Sequence, residues 1–246
     1  MPHPQINNTD LDIPRDISTE IFISNWEIYR KIIENDNMSH RDGYGKLRDI
    51  LINEMSRPFS FTDLACGDAY YSSKVLQQTK AEKYIGIDVS EQALTLAKKE
   101  FAGSGIETRF ERADFINFDR ITEPPVDVIW VGFSLHHLDT PDKLRFMKKV
   151  KKALSNDGVF IIYEPILLEG ENLRLYFERF KQTFYEHWRG LSKEESESLL
   201  EHVRESEKPE TTENWINLGK DAGFTKAEKV FSDKTGLYEM FKYGAG

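Results

Sequence analysis

Short apolar runs alternate with segments of helical periodicity through the middle of the chain. The apolar runs predict strands near residues 60–64, 84–88, 107–111, 127–131 and 158–163. The segments between them predict helices near residues 70–79, 91–101 and 141–154. Strands that alternate with helices pair in parallel through right-handed crossovers. The pattern therefore predicts an α/β fold whose strands end at a common edge of one sheet.

The pattern changes on both sides of this core. Residues 1–18 are polar and interrupted by prolines, and two helices are predicted between Thr19 and Met55. After Pro165, residues 171–205 form a long helical stretch rich in aromatic side chains, with a turn at Arg189-Gly190. We interpret this stretch as a helical cap inserted over the carboxyl edge of the sheet.

The end of the chain predicts one more helix, Thr212–Gly219, and a closing antiparallel hairpin of strands Gly223–Phe231 and Leu237–Tyr243. We therefore expect a single domain in three parts. These are an N-terminal arm with cofactor-covering helices in residues 1–58, a core in residues 59–165 and 211–246, and a cap insertion in residues 166–210.

Two of the predicted strands end in an acidic residue. Asp63 leads into the small-residue loop Ala65-Cys66-Gly67-Asp68-Ala69, and Asp88 follows it by 88 − 63 = 25 residues. In nucleotide-binding folds, a ribose-binding acid follows a glycine-rich loop by about 20 residues. The loop here has one glycine, and the charge of Asp68 would repel a diphosphate. The pattern favours a cationic, adenosine-containing cofactor over a dinucleotide.

At these residues the sequence resembles the class I S-adenosylmethionine-dependent methyltransferases, in particular their small-molecule branch. Their first motif, (D/E)-x-G-x-G-x-G, falls on Asp63, Ala65, Gly67 and Ala69, so alanine replaces two glycines. Alanine is the mildest replacement where the backbone keeps φ below zero. Further resembling segments follow in the family's order at Ile87–Ser90, Arg112–Phe115, Asp127–Trp130, Leu135–Leu138 and Leu154–Ile162.

The resemblance covers roughly Phe59 to Glu164 and implies a Rossmann-like sheet of seven mostly parallel strands with an antiparallel last strand. It also implies S-adenosyl-L-methionine as the cofactor. The expected reaction is methyl transfer to N, O or S of a small-molecule acceptor by in-line displacement from the sulfonium. An aromatic cap would exclude water from this reaction.

The resemblance further implies a set of cofactor-binding positions. Asp88 would accept hydrogen bonds from the ribose hydroxyls, and Asp114 would accept one from the adenine amino group. The alternatives are a helix N-terminal charge for Asp88, a surface turn for Asp114 and a loop brace for Asp63. The complete set of expected cofactor residues is Asp63, Ala65, Gly67, Asp88, Val89, Asp114, Phe115, Phe133 and Tyr29.

The expected catalytic and substrate residues follow the fourth and fifth strands or lie in the cap. His136 and His137 are candidates for a general base, because imidazole titrates near neutrality; the alternative is that one packs below the site. Ser134, Glu164, Tyr185 and Trp188 are the expected substrate residues. Glu164 is expected at the end of the fifth strand, and its alternative is an exposed loop acid beside Pro165. For Tyr185 and Trp188, the competing interpretation is the apolar stripe of a cap helix.

Composition and charge narrow the range of expected binding partners and cellular locations. With 33 basic and 42 acidic residues, the net charge of −9 disfavours nucleic acid and anionic membranes. Cys66 is the only cysteine, and no metal-binding spacing occurs, so we expect neither a disulfide nor a metal. The sequence has no apolar run of membrane-spanning length and no signal-like start, so we expect a cytoplasmic protein. It leaves the oligomeric state open.

Two other classes of protein compete with a methyltransferase. A nicotinamide oxidoreductase uses a related sheet, but the missing glycines oppose it. A non-catalytic protein that binds a nucleoside or a protein partner on the same fold is the alternative that the two alanines support.

Overall fold

The computed structural model describes residues 26–246. The strands are β1 Phe59–Leu64, β2 Ala81–Asp88, β3 Glu107–Arg112, β4 Val126–Gly132, β5 Leu154–Leu167, β6 Glu210–Thr211, β7 Lys226–Ser232 and β8 Tyr238–Gly244. The α-helices are α1 Trp26–Glu34, α2 His40–Glu54, α3 Tyr70–Leu76, α4 Glu91–Glu100, α5 Thr140–Ala153, α6 Leu173–His187, α7 Lys193–Ser206 and α8 Thr212–Asp221. Short 3-10 helices cover Phe115–Arg120 and Leu135–His137. The polar arm predicted over residues 1–18 and the helix start predicted at Thr19 lie outside the described residues.

The strands form one mixed sheet in the order β3-β2-β1-β4-β5-β8-β7. The first five strands pair in parallel, whereas β8 runs antiparallel to both β5 and β7. The predicted α/β sheet with an antiparallel last strand is therefore confirmed. The two-residue strand β6, which pairs with the end of β5, is an addition that the sequence pattern did not predict.

Strand β5 is longer than predicted at both ends. It begins at Leu154 and continues through Pro165 to Leu167, because β8 and β6 both pair with this last part. A proline lacks the backbone N–H that a ladder hydrogen bond needs, yet Pro165 lies inside this strand and pairs with Tyr238 of β8. The extension places Glu164 inside the strand instead of in a loop.

The cap consists of two helices, α6 and α7, separated at the predicted turn. Gly190 has φ of 84°, a conformation that glycine adopts at little cost. Asn172 caps the first turn of α6, and Ser192 forms a capping box with Glu195 at the start of α7. These local signals explain why the aromatic stretch breaks into two helices.

The N-terminal helices pack on the sheet at close range. A Cβ on Gly43 in α2 would lie 2.6 Å from the ring of Tyr163 in β5, so a larger residue does not fit there without rearrangement. This approach brings α1 and α2 over the carboxyl ends of the central strands, where the site lies. The division of the chain into arm, core and cap remains a prediction.

Candidate functional site

A cavity of about 340 Å³ opens at the carboxyl ends of β1, β2 and β4 and extends under the cap. This is the edge at which open α/β sheets bind ligands. One end of the cavity is lined by Asp88 and Asp114, and the other by Trp188 of the cap and Glu207 just beyond α7. The lining is predominantly apolar between these polar groups.

Asp88 is held in place by the backbone of two neighbouring loops. Its Oδ2 accepts a hydrogen bond of 2.9 Å from Gly67 N, and its Oδ1 accepts one of 2.8 Å from Ser90 N. Burial raises the pKa of the carboxyl, while these backbone donors favour the ionised form. A carboxylate has about four acceptor positions, so two remain for a ligand. Ser90 itself caps α4 through Ala93 N, and Asp88 lies just before that helix, so the alternative of a helix N-terminal charge stays open for Asp88.

The loop after β1 is strained at the positions where alanine replaces glycine. Ala65 has φ of 56° and Ala69 has φ of 52°, both in the left-handed region that disfavours residues with a Cβ. The backbone therefore does not keep φ below zero, and alanine is less well tolerated here than a negative φ would allow. Gly67, with φ of 54°, lies under the ring of Tyr29, whose Cε1 would be 3.7 Å from an added Cβ. Ala65, Gly67 and Tyr29 all line the cavity.

Asp63 lies beneath the loop and is not part of the cavity lining. Its side chain is 2% exposed, and Oδ2 accepts hydrogen bonds from Ser72 Oγ at 2.6 Å and Tyr84 Oη at 2.9 Å. Burial raises the pKa of this carboxyl to about 7. Through these bonds Asp63 joins the end of β1 to α3 and β2 on either side of the loop, an arrangement that suits the loop brace weighed as its alternative role.

The remaining expected cofactor residues surround the same end of the cavity. Asp114 accepts a hydrogen bond of 3.0 Å from Ile116 N and so caps the 3-10 helix that follows β3. Burial raises the pKa of its carboxyl. Val89, Phe115 and Phe133 also line the cavity. The structure thus brings together all the predicted cofactor residues except Asp63.

The first histidine after β4 is anchored to Glu164. Glu164 is fully buried and accepts hydrogen bonds from the backbone of Ser134, Leu135 and His136 at 3.0, 2.9 and 3.3 Å. It also lies 2.7 Å from His136 Nδ1. Burial raises the pKa of the Glu164 carboxyl to about 7, while the three backbone donors favour its ionised form. The ionised carboxylate only accepts hydrogen bonds, and in that form His136 donates through Nδ1 and keeps Nε2 as an acceptor. Glu164 therefore positions the loop and the imidazole, and is itself outside the lining.

Burial keeps both histidines neutral. It lowers the pKa of His136 to about 3 and lowers that of His137 well below its usual value. Both rings line the cavity, with their centroids 4.1 Å apart, and Ser134 lines it beside them. A neutral imidazole is the form that accepts a proton.

The cap supplies the far end of the cavity. Trp188 is 8% exposed and faces it, whereas Tyr185 is 61% exposed on the outer side of α6 and does not line it. Three polar lining residues at this end were missed by the sequence analysis: His202, Glu207 and Tyr238. Tyr176, Phe180 and Phe184 follow one another at intervals of four residues and so share the buried face of α6; this spacing would have placed Tyr185 on the exposed face. No sequence motif marked Glu207.

The lining is acidic and contains no cationic side chain among residues 28–246. Its charged groups there are the carboxylates of Asp88, Asp114 and Glu207. In the part of the chain that the structure describes, no group of His, Cys, Asp and Glu side chains is arranged to hold a metal ion. Nor does any helix between residues 26 and 246 have the length and apolar character needed to cross a membrane.

Comparisons with known proteins agree with this geometry. Residues 61–158 match the family described as the methyltransferase domain. The carboxy-S-adenosyl-L-methionine synthase of Nautilia profundicola is 27% identical over 188 residues, which cover 74% of this chain and 76% of the relative. The synthase of the same name from Campylobacter jejuni is 24% identical over 218 residues, which cover 87% and 88%.

Solved structures show the same fold. The magnesium protoporphyrin IX methyltransferase of Synechocystis PCC 6803, with bound SAH, superposes with a TM-score of 0.67 at 13% identity and covers 94% of this chain and 99% of its own. The fold, the cavity and the family match together define the class: the chain is an S-adenosylmethionine-dependent enzyme with a class I methyltransferase fold. Within that class, the relatives named above are carboxy-S-adenosyl-L-methionine synthases.

Proposed function

We propose that the chain transfers the methyl group of S-adenosylmethionine to N, O or S of a small-molecule acceptor. The observation that carries this proposal is the single cavity that runs from Asp88 and Asp114 to Trp188 and Glu207. Such a cavity has room for a cofactor at the sheet edge and an acceptor under the cap. Enclosure by α6 and α7 favours a compact acceptor.

The cofactor pose follows from the placement of the polar groups. The two unused acceptor positions of Asp88 bind the ribose hydroxyls, and Asp114 accepts from the adenine amino group, with Phe115 against the ring. The methionine part lies along Ala65 and Gly67, under Tyr29. This places the sulfonium near Phe133 and Ser134, where the two halves of the cavity meet.

The reaction needs alignment more than chemical activation, because a sulfonium is already a good leaving group. The acceptor atom attacks the methyl carbon in line with the carbon–sulfur bond, whose electron pair stays on sulfur. His136 and His137 are the candidates for receiving an acceptor proton, and because burial lowers the pKa of both imidazoles they are weak bases in the structure described. The cap excludes water, which would compete as an acceptor. We also propose a cytoplasmic location and no nucleic-acid partner.

Carboxy-S-adenosyl-L-methionine synthesis is the second candidate, because the curated relatives carry that name. The product of such an enzyme bears an additional carboxylate, so its site has to stabilise an anion beside the cofactor. Among residues 28–246 the cavity presents carboxylates and neutral imidazoles, with no lysine or arginine. This observation ranks methyl transfer first.

Titration calorimetry with S-adenosylmethionine and SAH tests cofactor binding. In Asp88→Asn the amide oxygen accepts fewer hydrogen bonds and carries no charge, so two charge-assisted bonds to the ribose weaken. At about 1.5 kcal/mol each, their loss raises Kd by about 100-fold. Asp221→Asn, an exposed change at the end of α8, is the matched control and leaves Kd unchanged. A Kd for Asp88→Asn within threefold of the unsubstituted protein would contradict the proposed pose.

Mass spectrometry separates the two reactions. Methyl transfer to a screened acceptor produces SAH. Synthesis of the carboxylated cofactor consumes S-adenosylmethionine together with a carboxyl donor, which has to be included in the assay, and yields a product heavier by one carbon dioxide unit. Failure to bind either cofactor at millimolar concentration would reject both enzyme assignments and favour a non-catalytic role.

A further inference from the structure

We propose that the cap end of the cavity binds an acceptor bearing a hydroxyl or ammonium group, that the Glu207 carboxylate binds this group, and that carboxylate-bearing molecules are excluded. This inference rests on the proposed function, because it specifies the acceptor of the same site. It assigns a role to Glu207, which belongs neither to the expected cofactor-binding set nor to the expected catalytic histidines.

Glu207 is fixed at the junction between cap and core. It follows the last residue of α7, and its backbone N donates a hydrogen bond of 3.3 Å to Val203 O in that helix. The next residue, Lys208, donates from its backbone N to His136 O at 2.8 Å. The chain is therefore tied to the cap on one side of Glu207 and to the loop after β4 on the other, which limits where the carboxylate can move.

The carboxylate is oriented by a buried tyrosine of the cap. Tyr176, which is 2% exposed in α6, donates a hydrogen bond from its hydroxyl to Glu207 Oε2. A carboxylate has more acceptor positions than this one bond uses, and Glu207 lines the cavity. A hydroxyl or ammonium group of a ligand supplies the donors that such a group lacks.

The surroundings of Glu207 allow its site to discriminate between ligands by their charge. The neighbouring lining is apolar, with Phe180, Leu199 and Val203, so charges are weakly screened there. Burial raises the pKa of Glu207 to about 7, and the Tyr176 hydrogen bond opposes that shift. The other titratable groups at this end are Tyr238, His137 and His202 in the lining, with Glu164 behind it.

No described cation balances this carboxylate. Within residues 28–246, the nearby guanidinium of Arg179 is outside the lining and donates instead to Glu171 and to the carbonyls of Ile166 and Gly236. A second carboxylate entering the cavity would therefore meet repulsion without compensation, whereas a cation or a neutral donor would not.

Three small phenyl compounds of similar size, with a cationic, a neutral and an anionic polar group, test the proposal. Benzylamine, benzyl alcohol and benzoate are titrated into the full chain by calorimetry or ligand-observed NMR, at about pH 8, with and without saturating SAH. We expect benzylamine and benzyl alcohol to bind at least about tenfold more tightly than benzoate. Benzoate that binds as tightly as benzylamine, or benzylamine that does not bind at millimolar concentration, would overturn the proposal.

The Glu207→Gln variant tests whether Glu207 causes the difference in affinity between benzylamine and benzoate. The amide keeps the shape and an acceptor for Tyr176 but removes the charge, so we expect benzylamine to lose about tenfold in affinity and the penalty on benzoate to shrink. Glu205→Gln, an exposed neighbour in the last turn of α7, is the matched control and keeps the original ranking. An unchanged ranking in Glu207→Gln would refute the role of Glu207.

These measurements separate the two proposals. Circular dichroism establishes that Glu207→Gln is folded; if it is not, the ranking of the three compounds on the unsubstituted protein decides the question alone. Absence of SAH binding rejects the proposed function, whereas the compound series without SAH still reports on Glu207.

Discussion

Replacement of Asp63 by asparagine is expected to stabilise the protein at neutral and alkaline pH. Ser72 Oγ and Tyr84 Oη both donate to the same oxygen of this carboxylate, Oδ2. An asparagine whose amide oxygen takes that position keeps both hydrogen bonds. It also removes a charge from a side chain that is 2% exposed.

The magnitude follows from the pKa of the buried carboxyl. Burial raises the pKa of Asp63 from 3.8 to about 7. Between these values the folded protein holds a proton that the unfolded chain releases, so the free energy of unfolding falls as pH rises through this window. At about 1.4 kcal/mol per pKa unit, the shift corresponds to about 4 kcal/mol, taken as an upper bound. We therefore expect Asp63→Asn to equal the original protein near pH 4 and to exceed it by up to about 4 kcal/mol above pH 7.

Urea unfolding from about pH 4 to pH 8, followed by circular dichroism, measures this difference. Asp127→Asn is a control in which the expected change in the free energy of unfolding has the opposite sign. Burial acts to raise the pKa of Asp127, but hydrogen bonds from Arg57 and Ser60 outweigh it and lower the pKa. A lowered pKa stabilises the fold above the unfolded value and loses that contribution as pH falls, so this variant is destabilised most at neutral pH.

The Asp63→Asn variant also distinguishes the two roles weighed for Asp63, a loop brace and a cofactor-binding residue. A residue that only braces the loop leaves the Kd for SAH within about threefold, since its carboxylate is outside the cavity lining. A stability difference that does not change with pH would refute the pKa argument. A large rise in Kd, of tenfold or more, would instead show that Asp63 holds the cofactor.

Two further substitutions test the strained loop and the anchored histidine. Ala65→Gly relieves left-handed strain of about 1–2 kcal/mol and costs about 0.5–1 kcal/mol in backbone entropy, so we expect a small net gain in urea unfolding; a loss would contradict the strain argument. In Glu164→Gln the amide oxygen keeps the bonds from Ser134 N and Leu135 N and turns the amide N–H toward His136 Nδ1, so we expect the imidazole proton to move from Nδ1 to Nε2; ¹⁵N chemical shifts that still report Nδ1–H would exclude the switch.

The sequence predicted the sheet and the cofactor end of the site because both depend on local signals. Apolar runs marked the strands, and the acid at the end of β2 marked Asp88. Parallel pairing then places such strand ends at one edge regardless of the details of packing. The position of Asp114 after β3 follows from the same rule.

The cap end of the cavity could not be predicted in the same way. Glu207 reaches the cavity only because α7 packs on the core and Lys208 binds the backbone of His136, contacts between residues far apart in sequence. Glu164 turned inward because β5 continued past Pro165 and three backbone N–H groups after β4 converged on its carboxylate. Neither event leaves a periodic signal in the sequence.

The family match therefore informs only one of the two ends of the cavity. The match to the methyltransferase domain covers residues 61–158, which include Asp88 and Asp114 but end before the cap. The cap end of the cavity is lined by residues of α6 and α7 and by Glu207, all outside that match. Burial lowers the pKa of His136 to about 3 and that of His137 well below its usual value, so neither offers a cation near neutrality. Because an additional carboxylate would face Glu207 without a described counter-charge, the charge of this end argues for a neutral or cationic acceptor, despite the name of the relatives.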